Sequence, residues 1–241
     1  MPNTYFNFKE FNVHQDKSSM KICTDACLFG AYIAQAMSTR ESSVLNCLDI
    51  GTGTGLLSLM YAQKNADTII HAVEIEKNAY IQAKENFENS KWNNRLTIFH
   101  TDIKDFIFEK PYNLIICNPP FYENDLLSTK EKQNLARHQK GLTLKELIRI
   151  IKINLATNGL FAILLPYHRE KYFESLAKEN NLFVNEKLLI KQTPLHIFFR
   201  VIMLLSNSNT ALTTKELTIK NNEGNYTNEF ISVLKDYYLK L

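Results

Sequence analysis

No stretch of this chain combines a basic start, a short apolar core and a small-residue cleavage site. No run of about 18 uninterrupted apolar residues is present to span a bilayer. A soluble, unexported, cytoplasmic protein is therefore expected. Cysteine is scarce, with four residues (Cys23, Cys27, Cys47, Cys117), which fits a reducing compartment. Cys47 and Cys117 each sit in an apolar, strand-like run and read as small buried thiols. Cys23 and Cys27 have four-residue spacing, but no matching Cys/His pair completes a zinc site, so no metal is expected. A strong charge of either sign is also missing. The formal net charge of +3 permits a polyanionic partner without demanding one, because counterion release needs only a local basic patch. Internal repeats and low-complexity stretches are absent. What is present is 241 residues with 45% hydrophobic content, enough to bury a substantial core in one large domain or two small ones.

Strand signals alternate with helix signals through most of the chain. Val44 to Ile50 is an apolar strand ending in a glycine-rich turn, and Gly55 to Lys64 then reads as a helix. Thr68 to Ile75 is a second strand, followed by good helix formers from Asn78 to Asn89. Leu96 to His100 and Tyr112 to Cys117 are further strands, the latter stopped by Asn118-Pro119-Pro120. Leu142 to Ala156 has apolar residues at helical spacing with Gly159 as a C-terminal cap. Leu160 to Leu165 is a strand, Tyr172 to Asn180 a helix and Phe198 to Leu205 a strand. Strands separated by helices call for parallel pairing with right-handed crossovers and a sheet covered on both faces. Residues 1–43 do not fit the alternation and are expected as an N-terminal extension packed on the core, with a helical stretch between Met20 and Met37. Residues 44–241 form the main domain. Within it, 207–225 is expected as a surface connection and Asn228 to Leu241 as a closing amphipathic helix.

Leu48-Asp49-Ile50-Gly51-Thr52-Gly53-Thr54-Gly55 ends the first strand and opens a helix. Gly51, Gly53 and Gly55 let the backbone turn sharply and approach a ligand beside a helix N-terminus. The spacing G-x-G-x-G led by Asp49 differs from the G-x-G-x-x-G of dinucleotide binders, and suits a ligand with an amino acid moiety and no pyrophosphate. The second strand ends in Val73-Glu74-Ile75-Glu76, where a carboxylate can accept both hydroxyls of a ribose. Glu74 directly follows the apolar run and is favoured; Glu76 is the alternative. His100-Thr101-Asp102-Ile103 follows the third strand, and the Asp102 carboxylate there can accept from an adenine amino group. The ordered series of Asp49 with its glycines, Glu74 and Asp102 resembles the class I methyltransferase pattern. That resemblance implies S-adenosylmethionine as cofactor. It also implies a Rossmann-like α/β fold with helices on both faces of a seven-stranded, mostly parallel sheet. The last strand is antiparallel and reached through a hairpin, for which Leu160 to Leu165 and Phe198 to Leu205 are the candidates.

Asn118-Pro119-Pro120-Phe121 falls on the carboxyl edge of the sheet, where open α/β folds bind ligands. The two prolines fix the backbone and remove two amide donors, so carbonyl oxygens can face a cavity. The Asn118 side-chain oxygen and the Pro119 carbonyl can both accept from an NH2 group, and Asn118 also borders the cofactor. Phe121 offers a face for a planar base or amide. Two acceptors orient the amine lone pair toward a sulfonium methyl, so alignment carries the acceleration and no strong base is needed. The tetrapeptide resembles that of amino-group methyltransferases, whose targets include adenine N6, cytosine N4, guanine N2 and the glutamine amide.

The run Phe6-Asn7-Phe8-Lys9-Glu10-Phe11, and then Met20 through Ala31, resemble the start of a bacterial tRNA methyltransferase family. Its members make N6-methyladenosine at adenine 37, beside the anticodon of tRNA1(Val). The similarity continues through His71 to Glu76, Ala83-Lys84-Glu85-Asn86-Phe87, Ile115 to Tyr122 and Ala136-Arg137-His138. In that family the segment matching Lys21 to Asp25 lies against the cofactor, which implies contacts from Thr24 and Asp25. The sequence departs from the family pattern at Cys23 and Cys27, where glycine and a small or branched residue are expected. For RNA contact the candidates are Lys130, Lys132, Arg137, His138 and Lys140, just downstream of the catalytic turn, with Lys187, Lys191 and Arg200 as weaker alternatives. Their loop can grip phosphates around a splayed-out nucleotide. The partner implied is a valine tRNA at its anticodon region, with no membrane; the sequence does not fix the oligomeric state, and a monomer is compatible with it. Other readings are methylation of ribosomal guanine N2 or a protein glutamine, and a non-catalytic RNA-binding module of the same fold. A nicotinamide dehydrogenase is disfavoured by the glycine spacing.

Overall fold

Buried parallel strands read as short apolar runs because both of their faces are covered, and such runs make the centre of this molecule. The structure is a computed structural model that describes residues 3–38, 46–120 and 142–241. A small antiparallel hairpin of β1 (Tyr5–Asn7) and β2 (Asn12–His14) comes first, then α1 (Thr24–Ser38). The alternation follows: β3 (Asn46–Ile50), α2 (Leu56–Lys64), β4 (Ile69–Glu74), α3 (Lys77–Glu88), β5 (Leu96–His100) and β6 (Tyr112–Cys117). The second half holds α4 (Leu144–Asn154), β7 (Leu155–Pro166), α5 (Glu170–Glu179), β8 (Phe183–Lys191), β9 (Phe198–Ser206), β10 (Thr213–Thr218) and α6 (Asn228–Leu234).

The main sheet has the order β10-β8-β9-β7-β6-β3-β4-β5. Every neighbouring pair is parallel except those made by β9, which runs against both β7 and β8. Chain order reverses between β3 and β6, the kind of switch point where open α/β sheets bind ligands. Because side chains alternate across a pleat, β9 feeds two cores. Ile202 and Leu204 pack with Phe29 of α1, Met60 of α2 and Phe230 of α6, while Val201, Met203 and Leu205 pack with Ile148 of α4 and Phe173 of α5. The segment before β3 joins the first of these cores through Phe8, Phe11 and Val13. Two polar side chains of α3 pin it down. Asn86 exchanges hydrogen bonds with the backbone of His14 (2.9 Å each way), and Gln82 accepts from Lys17 N at 2.9 Å.

Local chemistry sets the helix starts. Thr143 and Glu146 form a reciprocal capping box at the head of α4, an arrangement worth about 1 kcal/mol. Glu76 caps α3 by accepting from Asn78 N (3.0 Å) and Ala79 N (2.7 Å). Among the described residues no helix is long and apolar enough to cross a membrane.

Several sequence expectations are corrected. Among the described residues the sheet has eight strands, not seven. The additional one, β10, lies inside the stretch expected as a surface connection; it is polar because it is an edge strand held by its backbone to β8. The hairpin is made by β8 and β9. Leu160 to Leu165 does lie antiparallel to β9, but α5 and β8 intervene in the chain. Gly159 is not a helix cap, since α4 stops at Asn154 and β7 begins at once. A Cβ on Gly159 would stand 2.9 Å from the Tyr112 carbonyl oxygen, so the residue is small to admit β6. The closing helix is confined to Asn228–Leu234.

Candidate active site

The strand registers place the sequence motifs side by side on the carboxyl edge. Ile50 pairs with Val73 on one side and Cys117 on the other, and Glu74 pairs with His100. Across this edge the order is therefore Asp102, Glu74, the glycine turn with Asp49, then Asn118. The glycine turn needs its glycines: Gly51, Gly53 and Gly55 have φ of 68°, 60° and 83°, in the left-handed region that side chains avoid. At Gly55 space is short as well, because a Cβ would meet Phe87 Cε1 at 2.5 Å. The end of β4 clips the turn in place. Val73 O accepts from Gly51 N (2.9 Å) and Thr52 N (3.2 Å), and Glu74 Oε2 accepts from Gly53 N (2.9 Å). Asn86 Nδ2 also donates to Thr54 O at 2.8 Å, so one side chain holds both the glycine turn and the N-terminal segment.

Asp49 is fully buried. Its Oδ2 accepts from Thr52 Oγ1 and Ser58 Oγ, both at 2.7 Å, whereas Oδ1 has no partner among the described residues. Burial pushes its carboxyl up to about 6; the two hydroxyls pull the other way, and the charge of Glu74 adds to the rise. Glu74 is buried at the strand end, its Oε1 accepting from Glu76 N at 2.9 Å. Glu76 is exposed and has both oxygens committed to the start of α3. Asp102 is half-buried; Lys104 N donates to Oδ1 at 3.0 Å, and Lys104 Nζ stands 3.3 Å from Oδ2.

Asn118 is half-buried, and its Oδ1 is a buried acceptor with no partner among the described residues. Pro119 is half-buried and Pro120 exposed. Phe121 lies outside the described residues, as do Lys130, Lys132, Arg137, His138 and Lys140. Thr24 is exposed at the head of α1. Asp25 beside it is buried and accepts from Arg200 Nε at 2.7 Å through Oδ2. Since Arg200 pairs with Pro166 at the end of β7, this bridge ties α1 to the carboxyl edge. Lys187 is buried between Glu170 (2.6 Å) and Glu174 (2.8 Å) of α5. Burial opposes its charge, but the two carboxylates hold its ammonium above the ordinary range. Thr52, Ser58, Asn86 and the Asp25–Arg200 bridge were not singled out in the sequence. For Thr52 the signal was its place between two glycines of the turn; the others become visible only when distant segments meet.

The chain matches the methyltransferase small domain family over residues 30–160. It is 37% identical over 238 residues to the tRNA1(Val) (adenine(37)-N6)-methyltransferase of Flavobacterium psychrophilum, covering 98% of this chain and 100% of that one. It is also 39% identical over 242 residues to the enzyme of the same name from Dyadobacter fermentans, covering 99% and 98%. The chain belongs to the tRNA1(Val) (adenine(37)-N6)-methyltransferase family. Solved structures agree on the fold. A predicted O-methyltransferase from Agrobacterium tumefaciens superposes with a TM-score of 0.68 at 13% identity, over 87% of this chain and 95% of that one. The ribosomal protein L11 methylase of Lactobacillus delbrueckii gives 0.56 at 16% identity, over 82% and 84%. The architecture is the Rossmann-like class I methyltransferase fold, with one strand more than the sequence led us to expect. Family and fold together imply use of S-adenosylmethionine. Among the described residues no three His, Cys, Asp or Glu side chains are grouped to hold a metal ion.

Proposed function

We propose that this methyltransferase transfers the methyl group of S-adenosylmethionine to N6 of adenine 37, beside the anticodon of tRNA1(Val). The observation that carries the reading is a pair of buried acceptors without a partner among the described residues, Asp49 Oδ1 and Asn118 Oδ1, on adjacent strand ends of a chain matched along its whole length by enzymes of that name. Buried acceptors without partners are costly, and each fits one donor of the reaction. An α-ammonium suits the Asp49 carboxylate, and an adenine amine suits Asn118.

When bound, S-adenosylmethionine supplies an electrophilic methyl on a sulfonium. Glu74 is the ribose ligand in this account. Each oxygen of either carboxylate receives one backbone N–H, but Glu74 is buried at the end of β4 and bonded to the glycine turn through Gly53 N, whereas Glu76 is exposed and turned to the start of α3. The Glu74 oxygens keep capacity for a hydroxyl. Gly51, Gly53 and Gly55 keep the backbone close to the ligand, and Asp102 accepts from the cofactor's adenine amine. Thr24 and Asp25 close the site from α1, Asp25 being held by Arg200. The Asn118 side-chain oxygen and the Pro119 carbonyl accept from the substrate NH2 and aim its lone pair, while Pro120 fixes the turn and Phe121 stacks on the base. After transfer the nitrogen releases one proton to water, so no strong base is required. Lys130, Lys132, Arg137, His138 and Lys140 follow the catalytic turn and contact tRNA phosphates.

Transfer of labelled methyl to a panel of unmodified tRNA transcripts, with nucleoside digestion, tests the proposal. N6-methyladenosine confined to tRNA1(Val) is the expected product. Label in guanine, in ribosomal RNA or in protein instead, with tRNA unlabelled, would overturn it.

A further inference from the structure

Beyond Asn118, the carboxyl edge continues through the end of β7 to the β8–β9 hairpin, whose tip spans residues 192–197. At this tip Leu195 is 89% and Ile197 85% exposed, the most solvent-exposed large apolar side chains among the described residues. They are held there by design of the turn. Pro194 presets the backbone, His196 N donates to Thr193 O at 3.1 Å, and the Thr193 hydroxyl meets His196 Nδ1 at 2.7 Å. The base of the tip is tied down as well, since Lys191 O and Gln192 O accept from Ile219 N (2.9 Å) and Lys220 N (3.0 Å). A rigid tip loses little entropy when a partner covers it.

The surroundings bear on the partner. Lys187, Lys191, Arg200 and Lys215 lie between Glu186 and Glu216, and each meets a carboxylate in the fold: Lys187 meets Glu170 and Glu174, Arg200 meets Asp25, Lys215 meets Glu186 and Lys191 meets Glu216. The Lys191–Glu216 pair is weak and exposed on its acidic side, so a phosphate can replace Glu216 there. Lys187 is turned inward, but Lys191 Nζ stands 4.3 Å from the centroid of the Phe198 ring at the foot of the hairpin. Tyr167, at the end of β7, packs on the same ring at 5.3 Å, and Arg169 follows it. Aromatic and cationic groups around a projecting aliphatic pair suit a polyanion that also offers stacked rings. β9 lies two strands from β6, about 10 Å along the edge at ordinary strand spacing.

We propose that Leu195 and Ile197 form a wedge that enters the base stack of the RNA loop next to the target adenine and holds that base out toward Asn118. An adenine in a stacked loop must leave it to reach a site on the sheet edge, and unstacking costs a few kcal/mol unless something replaces the lost contacts. The wedge replaces them. The inference rests on the tRNA reading above, and its test separates the two.

Wild-type enzyme, L195S/I197S, the apolar replacement L195M/I197M and the distant control Ile153→Ser, on a residue 78% exposed at the end of α4, are compared on tRNA1(Val) transcripts. A companion transcript carries 2-aminopurine beside position 37 to report unstacking. L195S/I197S is expected to raise KM for tRNA about tenfold, the value of roughly one base-stacking contact. It should abolish the 2-aminopurine rise while leaving cofactor affinity and the salt dependence of binding unchanged. L195M/I197M and Ile153→Ser should behave as wild type. Unchanged KM and fluorescence in L195S/I197S would overturn the wedge while the tRNA reading stands. So would a change in oligomeric state alone, which would make the tip a self-contact. If wild-type enzyme methylates no tRNA, the reading beneath falls and the wedge with it.

Discussion

Along the carboxyl edge, the turns after β3, β4 and β5 carry carboxylates: Asp49 inside the sheet, Glu74 at its rim and Asp102 beyond. The turns after β7 and β8 carry Arg169, Lys191 and His196, with Arg200 at the start of β9. Asn118, uncharged, stands at the join. One half of the edge therefore suits a ligand with cationic and hydroxyl groups. In the other half Arg200 is paired with Asp25 and Lys191 with the exposed Glu216, a pair that a phosphate can replace. The difference also extends to rigidity. The acidic half is fixed by a left-handed glycine turn clipped to β4, whereas the basic half is fixed by packing and by ion pairs drawn from separate segments.

That comparison can be broken most severely at Lys187, a cation in the middle of β8 behind the basic half, which is structural in this account. Lys187→Ala should cost about 3 kcal/mol in urea denaturation, because it strands the largely buried carboxylate of Glu170, while the more exposed Glu174 turns to water. The salt slope of tRNA binding should not move; a reduced slope would make Lys187 an RNA contact. At the join, Asn118→Ala should lower single-turnover methyl transfer about 100-fold by misplacing the amine. Cofactor affinity by calorimetry should fall far less, and its collapse with turnover preserved would reverse the assigned role.

In the acidic half, Asp49 titrates upward. Its folded-state pKa of about 6 lies above the ordinary 3.8, so its contribution to stability is fully present below 3.8 and is lost as pH rises through 6. Ligand binding should run the other way, because only the carboxylate attracts an ammonium. Cofactor affinity is expected to weaken as pH falls through about 6 in wild type. In Asp49→Asn it should be about tenfold weaker at pH 8 and flat below 6. A flat wild-type profile would remove Asp49 from the cofactor's ammonium. The smallest effect is expected at Lys191, whose partner Glu216 is an exposed 3.3 Å contact. Lys191→Ala should weaken tRNA binding a few-fold and lower the salt slope by about one, with Tm unchanged within about a degree.

The acidic half was readable in the sequence because its signals are local. A glycine turn, a carboxylate after an apolar run and an Asn-Pro-Pro turn each declare themselves within a few residues, and parallel buried strands carry them to one edge. The basic half was not. Polar residues interrupt the start of β8, and only its later residues Lys187 to Ile190 are buried. β10 shows a single buried side chain, Leu217, because an edge strand needs its backbone more than its side chains. Lys187 looks like a surface cation until α5 brings Glu170 and Glu174 to it, and Asp25 and Arg200 meet across 175 residues of chain.

The most direct test of the central claim uses the amine itself. Wild-type enzyme would be given the anticodon stem-loop of tRNA1(Val) and the same stem-loop with purine riboside, which lacks the exocyclic amine, at position 37. The account predicts one methyl per adenine-bearing stem-loop, recovered as N6-methyladenosine, and none on the amine-free substrate. Equal methylation of the two would contradict it, because Asn118 would then be orienting some other atom.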